Sequence, residues 1–308
     1  MGINRNILLW GSKNEFLKKK IPQMKAIQKA VKRFMPGETL AEAIEAATKL
    51  SQNSISTTFT ILGENINNLS EAESTTKNYI ELLERIDNEI IDIEISLKLT
   101  QIGLDHSFEK TFELFRLIVQ KAKECSNNVF IDIEDSSYVD NTIRFYKEIK
   151  KEYDNVGLCL QAYLYRTMND IKEVISINPW IRLVKGAYKE PESVAFKSKS
   201  KVDENFFEIS KYLLREIREK GIRIAFATHD LSLQERIKKE AETLMLPQYD
   251  VEFQMLYGIK QSEQIKLAND GYNVRTLVSY GKSWYPWYMR RLAERPANVS
   301  FVIKNIFS

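Results

Sequence analysis

Eight short apolar runs, each separated from the next by a longer stretch of helical period, constrain this chain more than any other feature of its sequence. The runs are Thr57–Leu62, Glu94–Leu99, Val129–Ile133, Val156–Gln161, Ile181–Val184, Ile222–Ala227, Val251–Leu256 and Tyr272–Val278. Stretches between them, such as EAESTTKNYIELLERIDNE, SFEKTFELFRLIVQKAKEC and NFFEISKYLLREIREKG, place apolar residues at i, i+3, i+4 and i+7, which is one face of a helix. Gly221 follows the last of these as a C-cap. Strand–helix alternation of this kind predicts an α/β fold with a parallel sheet covered by helices. A closed (β/α)8 TIM-type barrel is its most economical form. The doubly wound open sheet is the rival, but no G-x-G-x-x-G follows any of the runs.

The first 54 residues read as a helical arm, with a break at Met35-Pro36-Gly37, and residues 55–308 as the barrel. Such barrels run to about 250 residues, so the division suits the length.

Lys and Arg total 45 against 42 Asp and Glu, for a formal net charge of +3. The two signs are interspersed, with no basic stripe interleaved with aromatics, so nucleic acid is not an expected partner. Two cysteines, Cys125 and Cys159, make neither a disulfide framework nor a CxxC knuckle, and they read as small buried hydrophobes. Two histidines, His106 and His229, give no ligand set for a metal. The N-terminal apolar stretch is too short for a signal peptide and precedes its lysines instead of following them. The M-G start has Asn6 where myristoylation needs Ser or Thr. No run approaches the about 20 apolar residues of a membrane span. The expectation is a soluble cytoplasmic protein; nothing in the pattern specifies an oligomeric state.

In a barrel of this type the reactive groups gather at the C-terminal ends of the strands. The polar residues closing the runs are Glu64, Lys98, Asp132, Gln161, Lys185, Thr228 with His229, and Gln254. A ring of groups that ionise or hydrogen-bond is costly to bury unless it binds something. The segment from Arg182 to Tyr188 adds two cations, small residues that permit close backbone approach, and an aromatic. In the last helix, SWYPWYMRRLAERP, Pro286 fits the first turn. Trp287, Arg290, Arg291 and Glu294 stand three or four residues apart and share one face. An arginine pair beside a glutamate is a clamp for a carboxylate, because guanidinium meets it bidentately. The same pattern also suits a solvated ion-pair face.

The segments LKLTQIGLD, FIDIEDS, QAYL, IRLVKGAY, FATHD, FQMLYGI and YMRRLAERPANVSFVIKNIF resemble those of the bacterial proline dehydrogenases, in order, over roughly residues 55–308. The resemblance implies FAD at the C-terminal end of the strands and a final helix capping the barrel mouth. It implies that Arg290 and Arg291 bind the substrate carboxylate, aided by Lys98, with Glu294 orienting the pair. Asp132 would hold Lys98 and its neighbours, and Arg182 would reach the flavin. Ile133, Gln161, Val184, Lys185, Gly186, Ala187, Thr228 and His229 would line the cofactor, while Tyr188 and Leu256 wall the substrate. The implied reaction is hydride removal from a cyclic amino acid, with a membrane quinone taking the electrons and peripheral contact at the inner membrane face.

Two departures touch the substrate pocket: Leu277 and Trp287 stand where the family usually has tyrosines. Oxidation of hydroxyproline, of another ring size or of an N-substituted proline is therefore an alternative to oxidation of proline. A flavin-free Schiff-base enzyme using Lys98 or Lys185, and a non-catalytic sensor of proline-like ligands, are rivals of other classes.

Overall fold

In the computed structural model, residue 14 and residues 31–63, 66–285 and 288–289 are described. Helix α1 (Leu40–Ser51) precedes the sheet. Then β1 (Ser56–Ile61), α2 (Leu69–Ile86), β2 (Ile93–Lys98), α3 (Phe108–Glu124), β3 (Val129–Asp132), α4 (Val139–Ile149) and β4 (Val156–Gln161) follow. The second half comprises α5 (Thr167–Val174), β5 (Trp180–Val184), α6 (Lys199–Lys220), β6 (Ile224–Ala227), α7 (Leu231–Thr243), β7 (Glu252–Leu256), α8 (Gln261–Asn269) and β8 (Asn273–Tyr280).

The strands form a closed barrel in sequence order, and every neighbouring pair is parallel. The expected runs match these strands to within a residue or two. Two of the differences have a local cause. The last strand runs on to Tyr280 because β1 offers it partners from Ser56↔Arg275 to Ile61↔Tyr280, the seam that closes the barrel. The second run stops at Lys98, since Leu99–Ile102 turns into a 3-10 helix that ends at Gly103 in the left-handed region.

Helices α1, α2, α3 and α6 begin where a side chain satisfies a free backbone N–H. Thr39 and Glu42 make a capping box on α1. Asn68 and Ser107 cap α2 and α3. Gly221 closes α6 with φ 65°, and its N–H donates to Ile217. The chain is non-helical at Met35-Pro36-Gly37, as the sequence predicts. Helix α1 packs against β1 and β8, across the seam.

Successive residues of a strand face opposite sides of a sheet. Outward-facing Phe59, Leu97, Ile131, Leu158, Leu183, Phe226, Phe253 and Val278 are buried, and they build the core under the helices. The inward-facing set is mixed and carries charge. Glu94 on β2 lies 3.6 Å from Arg182 on β5, 2.8 Å from Arg223 beside β6 and 3.6 Å from Arg275 on β8. None of those strands neighbours β2 in the sheet, so these contacts cross the barrel interior. A barrel lumen is ordinarily packed with branched apolar residues, and this one carries charge from the N-terminal end upward.

Candidate active site

The C-terminal mouth of the barrel gathers Lys98, Asp132 and Arg182 from three strands. The register sets Lys98 beside Asp132 on β2 and β3. Across β4, Arg182 Nη1 donates to Asp132 Oδ1 at 2.8 Å. Ser96, two residues below Lys98 on the same face of β2, donates to the other carboxylate oxygen at 3.1 Å. Phe130, two residues below Asp132, holds its ring 4.4 Å from the Arg182 guanidinium carbon. Burial raises the Asp132 carboxyl above the ordinary carboxylate range, with Arg182 and Lys98 opposing it.

Arg182 is buried, and among the described residues its Nε and Nη2 have no hydrogen-bond partner. A guanidinium has five N–H donors and normally satisfies them when buried. Two unmet nitrogens beside a carboxylate at the mouth end of a barrel are suited to a ligand with acceptor atoms or negative charge. Cys159, on the inward face of β4, is buried near this pair, and burial pushes its thiol up, which disfavours the thiolate.

The loops around the mouth are tied to one another by two buried glutamates. Glu134, after β3, accepts from the Thr100 N–H at 3.2 Å and the Thr100 hydroxyl at 2.7 Å, fastening the loop after β2. Its backbone oxygen takes Gln161 Nε2 at 2.6 Å. Glu190, after β5, accepts from the Ser136 N–H and hydroxyl, each at 2.6 Å. Gly186 has φ +113°, and a Cβ there would stand 2.3 Å from the Tyr163 ring, so only glycine keeps this turn at the end of β5. Val184 and Tyr188 on either side are half-buried, and Ala187 is exposed.

His229 accepts the Leu256 N–H on Nε2 at 2.9 Å. A neutral imidazole that accepts on one nitrogen carries its proton on the other, so this contact sets the Nδ1–H tautomer. Thr228 takes the Asp230 N–H on its hydroxyl at 3.1 Å, which shapes the same loop. Leu256 and Leu277 are register partners on β7 and β8, both half-buried, and together make an apolar patch on the inner wall.

Several expected residues are placed otherwise than the sequence suggests. The Lys185 ammonium is engaged by ion pairs with Asp203 at 2.5 Å and Asp230 at 2.9 Å. Gln254 sits lower in the lumen, donating to Glu252 at 2.6 Å, and does not join the rim. Glu64, Trp287, Arg290, Arg291 and Glu294 lie outside the described residues. Of that last segment, Trp284, Tyr285 and Tyr288 are buried. Trp284 Nε1 donates to Glu38 at 2.8 Å, and the Tyr288 ring stands 6.3 Å from Phe34, so the chain before α1 meets the chain after β8. Ile133 is buried, as a residue lining a pocket from below must be.

The sequence reading missed Glu94, Ser96, Phe130, Glu134 and Glu190. The first two carried a signal: in EISLK every second residue is polar, which on a strand covered outside by helices marks an inner face that is not apolar. The two rim glutamates had none, because loop carboxylates look alike until their partners are known.

The family model described as proline dehydrogenase matches residues 43–304. Proline dehydrogenase 2 of Bacillus subtilis subsp. natto is 37% identical over 306 residues, covering 99% of both chains. Proline dehydrogenase of Deinococcus radiodurans is 33% identical over 279 residues, covering 89% of both chains. A crystal structure of proline utilization A (PutA) from Bdellovibrio bacteriovorus, inactivated by N-propargylglycine, superposes with a TM-score of 0.81 at 25% identity. It covers 96% of this chain, which spans 38% of that longer protein.

Proposed function

The chain belongs to the proline dehydrogenase family, and on that premise we propose that it oxidises L-proline to Δ1-pyrroline-5-carboxylate, using FAD as bound acceptor and a membrane quinone as the onward one. The observation that carries the reading is Arg182: a buried guanidinium at the mouth, fixed by Asp132 at one corner and, among the described residues, without a hydrogen bond at Nε or Nη2. The residues present fit a flavin. Arg182 offers the unmet donors, and the glycine turn at Gly186 brings backbone to the mouth without a side chain. Ile133, Gln161, Val184, Lys185, Ala187, Thr228 and His229 come from the ends of β3 to β6 or the loops that follow them, and would complete the cradle. When bound, FAD supplies the two-electron acceptor for the C–H bond beside the ring nitrogen.

The protein's own part is position and charge. Asp132 holds Arg182 and, through its charge, Lys98. Lys98, Arg290 and Arg291 bind the substrate carboxylate, with Glu294 orienting the arginines. Tyr188, Leu256, Leu277 and Trp287 enclose the ring. The catalytic barrel is residues 55–308, preceded by an arm of residues 1–54. Among the described residues no helix is long and apolar enough to cross a membrane. The proposed setting is the cytoplasm, with peripheral contact where the quinone resides.

One observation favours a second reading. Leu277, paired with Leu256, gives the wall a shape and polarity that a tyrosine would not, so another cyclic amino acid is the competing substrate. Anaerobic titration of the purified protein with L-proline, recorded through the flavin absorbance, tests both. Rapid bleaching by proline alone supports the first reading. Bleaching only by hydroxyproline or another cyclic amine supports the second. A preparation that binds no FAD, or holds flavin that no cyclic amino acid bleaches, overturns both.

A further inference from the structure

Strand β2 presents three polar residues to the lumen in ascending order, Glu94, Ser96 and Lys98, and each acts on the Arg182–Asp132 pair. Ser96 donates to Asp132, and Lys98 stands beside it in register. Glu94 lies below, almost wholly enclosed, with Oε1 3.6 Å from Arg182 Nη2. Its own position is fixed from two sides: Thr58 donates to Oε1 at 2.8 Å, and Arg223 Nη1 donates to Oε2 at 2.8 Å. Arg223 is in turn held bidentately by Glu252, at 2.8 and 3.0 Å. Among the described residues, Glu94 is thus the one carboxylate that faces both the paired charges of the barrel floor and the incompletely paired arginine of the mouth.

We propose that Glu94 is a positioning residue for the oxidation, acting on the cofactor through Arg182. The inference rests on the flavoenzyme reading above. Three constraints hold the guanidinium: Asp132 at Nη1, Phe130 against its face and Glu94 beneath Nη2. With Glu94 ionised, part of the Arg182 charge is compensated from below, and the field reaching the mouth is correspondingly smaller. Among the described residues, neutralising Glu94 leaves Asp132 as the only carboxylate within 4 Å of Arg182, so a larger positive charge faces any group that becomes anionic on reduction. The guanidinium also loses the restraint that fixes its height in the lumen.

The test compares wild-type holoenzyme with E94Q and T58V, measuring the flavin midpoint potential by dye equilibration together with kcat and KM for L-proline. E94Q keeps the shape and removes the charge. The expected result is about a tenfold gain in preference for reduced over oxidised flavin, a positive shift of about 30 mV for a two-electron couple. It is accompanied by a kcat lower by about tenfold and a KM for proline within twofold of wild type, because the carboxylate clamp is elsewhere. T58V removes only the hydrogen bond that fixes Glu94 and carries little risk to folding. Its expected shift has the same sign and is smaller, and it decides the matter if E94Q does not fold. A folded E94Q, or T58V where E94Q fails, with wild-type potential and kcat overturns the inference. A wild-type protein that binds no flavin overturns the functional reading, and the inference with it.

Discussion

The two ends of the barrel lumen both contain buried charge, but they pair it differently. At the floor, Arg223 is gripped by Glu252 and Glu94, and Arg275 by Asp92 at 2.6 and 3.1 Å, with Thr57 accepting a further bond. Arg275 Nε, though without a hydrogen bond, still lies 3.5 Å from Glu252 and 3.6 Å from Glu94. At the mouth, Asp132 is partly open to solvent, and among the described residues Arg182 Nε has no carboxylate beside it. The floor network is closed, and the mouth network leaves donors that suit the proposed ligand. On the proposed reading, the same residue types, a few ångströms apart along the barrel axis, serve stability at one end and chemistry at the other.

The largest effect that sharpens this contrast is expected at the floor. Glu252→Ala leaves Arg223 and Arg275 short of a buried partner and lowers stability by about 3–5 kcal/mol, read by chemical denaturation. Turnover per folded molecule should stay near wild type; a collapse of turnover with unchanged stability would erase the distinction. Arg182→Met is the converse. It should reduce kcat/KM by roughly 100- to 1000-fold, the scale of losing a preorganised electrostatic group, with little loss of melting temperature.

The pH dependence of stability separates the ends by sign. Burial opposes the charge on Glu252, but Arg223 and Arg275 outweigh it and hold its carboxyl below the ordinary range. Its contribution is present above the unfolded value of about 4.3 and is lost as pH falls through the folded value. Asp132 is raised by burial, so ionising it costs stability as pH rises from about 3.9 through its folded value. Urea denaturation from pH 2.5 to 7 should therefore show Glu252→Gln flattening the acid loss and Asp132→Asn removing the opposing slope. Identical profiles for the two variants would mean that the ends are not electrostatically distinct.

A smaller effect is expected on the apolar wall. Leu277→Tyr should change the ratio of kcat/KM for proline to that for hydroxyproline by about tenfold, within the 1–3 kcal/mol range of a reshaped pocket. The smallest is expected outside the lumen. Lys199 pairs with Asp203 and Asp230 but is 75% exposed, so Lys199→Ala should cost under about 1 kcal/mol in the same denaturation assay.

Much of the fold was legible because it depends on periodicities. A strand of four to eight residues and a helix of two or more turns write their apolar faces into adjacent positions, and parallel strands joined by helices have few ways to close. Asp132, Arg182 and Lys98 were legible for a related reason: the fold sends the C-terminal end of every strand to one mouth, so position along a strand becomes position in space. The direction of Lys185 was not legible. Its partners, Asp203 and Asp230, are 18 and 45 residues away, and only the packing of α6 and α7 brings them to it.

The chain order by itself determined the barrel, its seam and the strand ends that meet at one mouth, because backbone geometry acts between near neighbours. Tertiary structure alone decided which buried charges neutralise one another. Glu94 meets Arg275 across 181 positions only when the sheet closes on itself, and whether a carboxylate supports the fold or tunes an arginine depends on distances of a few ångströms that no local pattern encodes.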